Sequence, residues 1–200
     1  MDTQHSAAAR TAEQKAADRA RLLELIDTLA VVRGKVTLSS GKEADYYVDL
    51  RRITLHHEAA PLVGRVMLDV LEDAGVLGEV EAAGGLTLGA DPVATAMMHA
   101  ASTRSGAPAL DAFVVRKANK AHGLQRRIEG PSIEGRPVVA VEDTSTTGGS
   151  VLTACEAITE DGADIRAVAV IMHREAAAQQ AIEAAGHRYL YAFSVDELNL

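Results

Sequence analysis

Apolar positions along this chain keep a helical period near the start and a shorter, β-like period later. Leu22, Leu23, Leu25, Ile26 and Leu29 fall at helical spacing and predict a packed helix. The alanine-rich, mixed-charge stretch before them, about residues 1–20, reads as a frayed tail or a solvated helix start. β-Branched residues over 31–38, broken at Gly34, and the run Tyr46-Tyr47-Val48-Asp49-Leu50 predict short strands. From Pro61 to Leu71 the helical spacing returns, with Pro61 allowed in a first turn. After that, strands are expected near 79–83, 112–115, 138–141, 167–172 and 189–193. Helices are expected near 92–102, 149–160 and 175–185. Such alternation predicts an α/β fold: a central, mostly parallel sheet flanked by helices. Ligands should then gather at the carboxyl ends of its strands. The chain carries no internal repeat and no linker, so residues 1–200 are expected to form a single domain.

One stretch is chemically distinctive. The apolar run Val138-Val139-Ala140-Val141 ends in two adjacent acids, Glu142 and Asp143. Thr144, Ser145, Thr146, Thr147, Gly148, Gly149 and Ser150 follow, and then the helical pattern Val151, Leu152, Ala154, Ile158. The expected order is strand, acidic tip, small-residue loop, helix start. A helix N-terminus offers unpaired N–H groups and the positive end of its dipole, which suits a phosphate. Glycines let the backbone approach the anion, and hydroxyls add donors. The acids could hold sugar hydroxyls, or a divalent cation through water. No Gly-Lys-Ser/Thr follows, so this is not a Walker A loop. The acids precede the glycines, so it is not a dinucleotide fingerprint either. An ordinary strand-to-helix turn with a Ser or Thr cap needs neither paired acids nor so many small residues.

Composition narrows the class. Aromatic residues make up only 3% of the chain and Trp is absent, so the core must be mainly aliphatic. A net charge of −8 argues against general nucleic-acid binding, which favours basic faces. The lone cysteine, Cys155, excludes an internal disulfide and is expected to be a small core residue of the helix after the loop. No apolar run approaches membrane-spanning length, and the first residues lack the apolar segment of a signal peptide. A cytoplasmic enzyme is the expectation. His56 and His57 are adjacent and would point apart on any regular element.

A second constellation follows the strand expected at 112–115: Arg116-Lys117-Ala118-Asn119-Lys120-Ala121-His122-Gly123. In an acidic protein, beside a phosphate-binding loop, a dense cation cluster can close over a leaving group as its negative charge grows.

The acidic strand tip and its Thr/Gly loop resemble the PRPP-binding motif of the type I phosphoribosyltransferases. Arg-Lys-x-x-Lys-x-His-Gly resembles the catalytic loop of the orotate phosphoribosyltransferase family, most closely its actinobacterial members. Thr37-Leu38-Ser39-Ser40-Gly41 with Tyr46-Tyr47-Val48-Asp49 is similar to that family's N-terminal hood, here about 31–55. The run from Gly84 to Pro92 occupies the place of its pyrophosphate loop, and Arg174 that of its orotate-binding arginine. Two lysines that many bacterial relatives carry, at Ser39 and near Leu88 or Gly89, are missing.

The resemblance implies the type I phosphoribosyltransferase fold and transfer of phosphoribose from PRPP to orotate, in pyrimidine synthesis. Lys120, His122 and Asp143 would be catalytic. Arg116, Lys117, Lys120, His122 and Glu142 through Ser150 would bind PRPP. Tyr47, Thr146 and Arg174 would bind orotate. Mg²⁺ would be held through PRPP and water near Glu142 and Asp143, with no direct protein ligand. The implied assembly is a homodimer with shared active sites, with no nucleic-acid or membrane partner. Two other readings keep the PRPP loop: a purine phosphoribosyltransferase, and a PRPP-sensing regulator on the same fold.

Overall fold

The structure is a computed structural model that describes residues 10–37, 43–117 and 127–200. It opens with helix α1 (Ala12–Leu25), whose end widens into a π-turn over Ile26–Ala30. Thr11 and Gln14 form a reciprocal capping box, so the helix begins well before the apolar stripe. The stretch expected as a tail or helix start is therefore helical from Ala12 onward, and residues 1–9 lie outside the described residues. Strands β1 (Val31–Thr37) and β2 (Glu43–Val48) pair antiparallel as a separate hairpin, the expected hood. Then come α2 (Arg51–Thr54), α3 (Ala59–Asp73), β3 (Ala82–Leu86), α4 (Ala90–Thr103), β4 (Asp111–Val115) and the two-residue β5 (Ile128–Glu129). The chain ends with β6 (Pro137–Ser145), α5 (Gly149–Glu160), β7 (Asp164–His173), α6 (Ala176–Ala184) and β8 (Tyr189–Ser194).

The main sheet has the order β5-β4-β3-β6-β7-β8, and every pairing is parallel except that of β5. Alternate side chains divide its strands between two cores. Val139, Val141, Ala169 and Ile171 pack with α1, α3 and α4 on one face. Val138, Ala140, Val168 and Val170 pack with α5 and α6 on the other. Burial on both faces explains why these strands read as continuous apolar runs. Cys155 is buried in the second core, as expected, and burial pushes its thiol up to about 12.

Two expectations need correction. The strand expected at 79–83 lies at Ala82–Leu86, after a short 3₁₀ turn over Leu77–Glu79. Adjacent His56 and His57 do not splay: their ring centroids are 4.4 Å apart. They sit in the irregular turn between α2 and α3, where period-based arguments lapse. The His56 Nδ1 there accepts long 3.4 Å bonds from the N–H groups of Glu58 and Ala59 at the start of α3.

Topology positions the site. From β3 the chain moves outward to β4, then returns to place β6 on β3's other side. The loops after β3 and β6 therefore leave adjacent strand ends in opposite directions. This is the crevice where open α/β sheets bind ligands.

Candidate active site

A cavity of about 340 Å³ lies at this switch point. Its lining comes from the hood end (Tyr47, Asp49, Arg51), the loop after β3 (Thr87, Leu88, Gly89), Lys117, and every residue from Glu142 through Val151. A larger groove of about 950 Å³ adjoins it, but apolar side chains dominate that groove. The polar groups able to do chemistry converge in the smaller cavity.

Strand β6 does not stop at the acids, as the sequence suggested, but runs to Ser145. Pairing with β7 continues through Glu142↔Val170, Thr144↔Met172 and Ser145↔His173. The acids are thus fixed by sheet hydrogen bonds rather than hung on a loop. Gly148 caps α5 with φ +80°, a conformation that favours glycine, and provides no side-chain cap. The first i→i−4 bond runs from Leu152 N–H to the Gly148 carbonyl. The N–H groups of the first turn therefore face the cavity as an anion cradle.

Glu142 is only 6% exposed, and its carboxylate lies against the Gly89 backbone: a Cβ on Gly89 would meet Oε1 at 1.8 Å. Burial, and then the charge of Asp143, push the Glu142 carboxyl well above the usual range. Burial also raises Asp143, opposed by the Thr144 N–H, which donates to Asp143 Oδ1 at 2.6 Å, and by the charge of Arg51. The Asp143 N–H also donates to Glu142 Oε1 at 3.3 Å, so the two acids are held side by side. A cation, or sugar hydroxyls donating to the two carboxylates, would relieve this crowding of negative charge.

Behind the loop, Tyr189 hydrogen-bonds the buried Ser145 side chain, and His173 Nδ1 lies 3.2 Å from the Tyr189 hydroxyl. The Arg174 N–H donates to the Ser145 carbonyl at 3.1 Å. The ends of β7 and β8 thereby fix the residue from which the Thr146–Ser150 loop departs.

Comparison with known proteins decides the family. An orotate phosphoribosyltransferase of Streptomyces coelicolor is 63% identical over 183 residues, covering 91% of this chain and 97% of its own. The chain belongs to the orotate phosphoribosyltransferases. Two solved structures of the Mycobacterium tuberculosis orotate phosphoribosyltransferase agree. One, in complex with Fe(III) dicitrate, matches with a TM-score of 0.80 at 54% identity, covering 92% of this chain and 99% of its own. The other, in complex with PRPP, matches at 0.77 and 49% identity, with the same coverage. No protein-family model matches the chain. The type I phosphoribosyltransferase fold and the actinobacterial likeness expected from the motifs are both found.

Within this phosphoribosyltransferase the sequence-derived residues are distributed unevenly. Tyr47, Lys117 and all of Glu142 through Ser150 line the cavity. Arg116 does not: its guanidinium turns toward Glu129 at 3.4 Å, and its backbone pairs with Arg127. The Arg174 backbone touches the loop, but its side chain is not part of the cavity wall. Lys120, His122, Ser39 and Ser40 lie outside the described residues. Among the described residues, no three metal-ligating side chains cluster, and no helix is long and apolar enough to cross a membrane. Sequence reasoning passed over Asp49 and Arg51 as site residues. Their position immediately after the hood strand, at the mouth of the crevice, was the available signal.

Proposed function

We propose that this enzyme joins orotate to the phosphoribosyl group of PRPP, giving orotidine 5′-phosphate and pyrophosphate. The observation that carries the reading is the open anion cradle of Gly148–Ser150 beside the buried Glu142–Asp143 pair. A phosphate at the first and a ribose diol at the second match the two functional ends of a phosphoribosyl group. In the reaction the bond from C1 of the ribose to the pyrophosphate oxygen breaks, and that electron pair leaves with pyrophosphate. Orotate N1, having lost its proton, forms the new bond from the opposite face. The protein's work is positioning and electrostatics. Thr146 through Ser150 hold the 5′-phosphate, Glu142 and Asp143 hold the ribose hydroxyls, and Asp143 lies nearest the positive charge that develops at C1. Lys117, Lys120 and His122, with Arg116 behind them, meet the charge growing on pyrophosphate. Tyr47, Thr146 and Arg174 are assigned to orotate.

The carboxyl pair suits Mg²⁺ whose other ligands come from PRPP and water, since two adjacent carboxylates supply too few donors alone. Bound there, the ion would neutralise pyrophosphate oxygens. The assembly we assign is a homodimer in which the loop beyond Lys117, with Lys120 and His122, serves the neighbouring site, while Lys117 lines the site of its own chain. The apolar groove between α3 and α4, with Leu55 and Leu88 exposed at 74% and 70%, supports a second copy as its cover.

Base choice tests the reading. Given PRPP and equal amounts of orotate, adenine and hypoxanthine, the enzyme should convert orotate alone. Arg174→Ala should raise KM for orotate far more than KM for PRPP, because only orotate brings a carboxylate. Purine nucleotide formation would replace the reading with its runner-up.

A further inference from the structure

We propose that Arg51 is a pyrophosphate-binding residue, gripping the leaving-group end of PRPP from the hood side. The inference rests on the PRPP reading above and extends it to a residue outside the family's motifs. Among the described residues of the cavity wall, the only cations are Arg51 and Lys117, against Asp49, Glu142 and Asp143. A polyanion entering so acidic a site gains from a further cation beside Lys117 and the Lys120 and His122 assigned above. The loop after β3 that lines the cavity, Thr87-Leu88-Gly89, brings no cation of its own.

Geometry selects Arg51 for the task. The cavity and the neighbouring apolar groove share two wall residues, Arg51 and Leu88. None of the 5′-phosphate loop, Thr146–Ser150, lines that groove. Arg51 therefore stands at the end of the cavity formed by the loop after β3, away from the anion cradle on α5. Its stem is held in place. The Arg51 N–H and Nε both donate to Asp49 Oδ1, at 3.2 and 2.8 Å. Among the described residues, Nη1 and Nη2 have no hydrogen-bond partner, and the side chain is half exposed. Its charge also reaches Asp143 and Tyr47 inside the cavity. A fork anchored through Nε with two free terminal nitrogens is suited to a pair of phosphate oxygens. Arg52 makes a natural control. It comes within 4.0 Å of the same Asp49 carboxylate, yet lines neither the cavity nor the groove.

The test separates the two ends of PRPP with simple probes. Titration calorimetry with Mg²⁺ would measure pyrophosphate and, separately, ribose 5-phosphate on the full-length protein and on Arg51→Ala, Arg51→Lys and Arg52→Ala. Arg51→Ala should weaken pyrophosphate by about tenfold or more, the loss of one charge-assisted contact. Ribose 5-phosphate affinity should stay at the wild-type value. Arg51→Lys should recover part of the loss, and Arg52→Ala should change neither probe. Equal weakening of both probes would make Arg51 a structural partner of Asp49 and overturn the proposal. Unchanged pyrophosphate affinity in Arg51→Ala would overturn it too, while leaving the PRPP reading intact. A wild-type protein that binds neither probe would remove the PRPP reading, and this proposal with it.

Discussion

Gly89 shows how tightly single residues are matched in this site. The atom a Cβ there would strike is Glu142 Oε1, the free end of a side chain rather than backbone. Gly89→Ala should therefore fold by swinging Glu142 aside, with a thermal midpoint close to wild type. Its kcat/KM for PRPP should fall by about tenfold or more, because the carboxylate no longer meets the ribose in place. Thermal unfolding and steady-state kinetics together check this; an unchanged kcat/KM would mean that Glu142 needs no fixed position. The sequence made both partners visible, Gly89 in a glycine-bearing loop and Glu142 at an acidic strand tip. It could not make their contact visible, because that contact arises only when β3 and β6 become neighbours. Nor could it reveal that Glu142 is buried, its carboxyl pushed up by that burial and by the charge of Asp143. Adjacent acids look alike in one dimension, and the difference comes from what each side of the strand meets.

Among the elements, α1 was the least legible. Its apolar stripe begins only at Leu22, so propensity and period left residues 12–21 undecided. What docks them is charge. Arg10 pairs with Asp69 of α3 at 2.8 Å, and Arg104 after α4 pairs with the same carboxylate at 2.9 Å. Both Asp69 and Arg104 have side chains only 8% exposed. Asp69→Ala would leave Arg104 with only the Glu72 carboxylate, at 2.6 Å, and should cost about 1–3 kcal/mol, the usual loss of a hydrogen bond to a charged group. Chemical denaturation measures it, and a loss below about 1 kcal/mol would show the network to be solvated. By contrast β6, α5 and β7 were legible because burial on both sheet faces leaves an unbroken apolar run. The β3 boundary was misread by a few residues for a related reason. The strand contains Gly84 and Gly85, which propensity counts against a strand, while the preceding Glu79-Val80-Glu81 alternates as a strand would. The two-residue β5 is too short to leave any pattern.

At the scale of the whole molecule, the alternating pattern sufficed for the fold class, and the fold class located the site at the strand ends. The hood and the switch point then brought together segments that are distant in sequence. The dimer with exchanged loops can be tested by mixing two inactive variants. Lys120→Ala and Asp143→Asn, co-refolded in equal amounts, should give half mixed dimers, each with one intact site. Activity should return to about a quarter of wild type. Activity that stays at the level of the separate variants, with mixed dimers verified by mass, would assign each loop to its own subunit.

The most direct measurement follows orotate absorbance and released pyrophosphate together, with PRPP and Mg²⁺ supplied to the wild-type enzyme. Glu142, Asp143 and the Thr146–Ser150 cradle are held here to bind one phosphoribosyl group for transfer to orotate. Orotate should therefore disappear and pyrophosphate appear in equal amounts, and Asp143→Asn should slow both together. Pyrophosphate released without loss of orotate, or neither signal changing, would contradict the account.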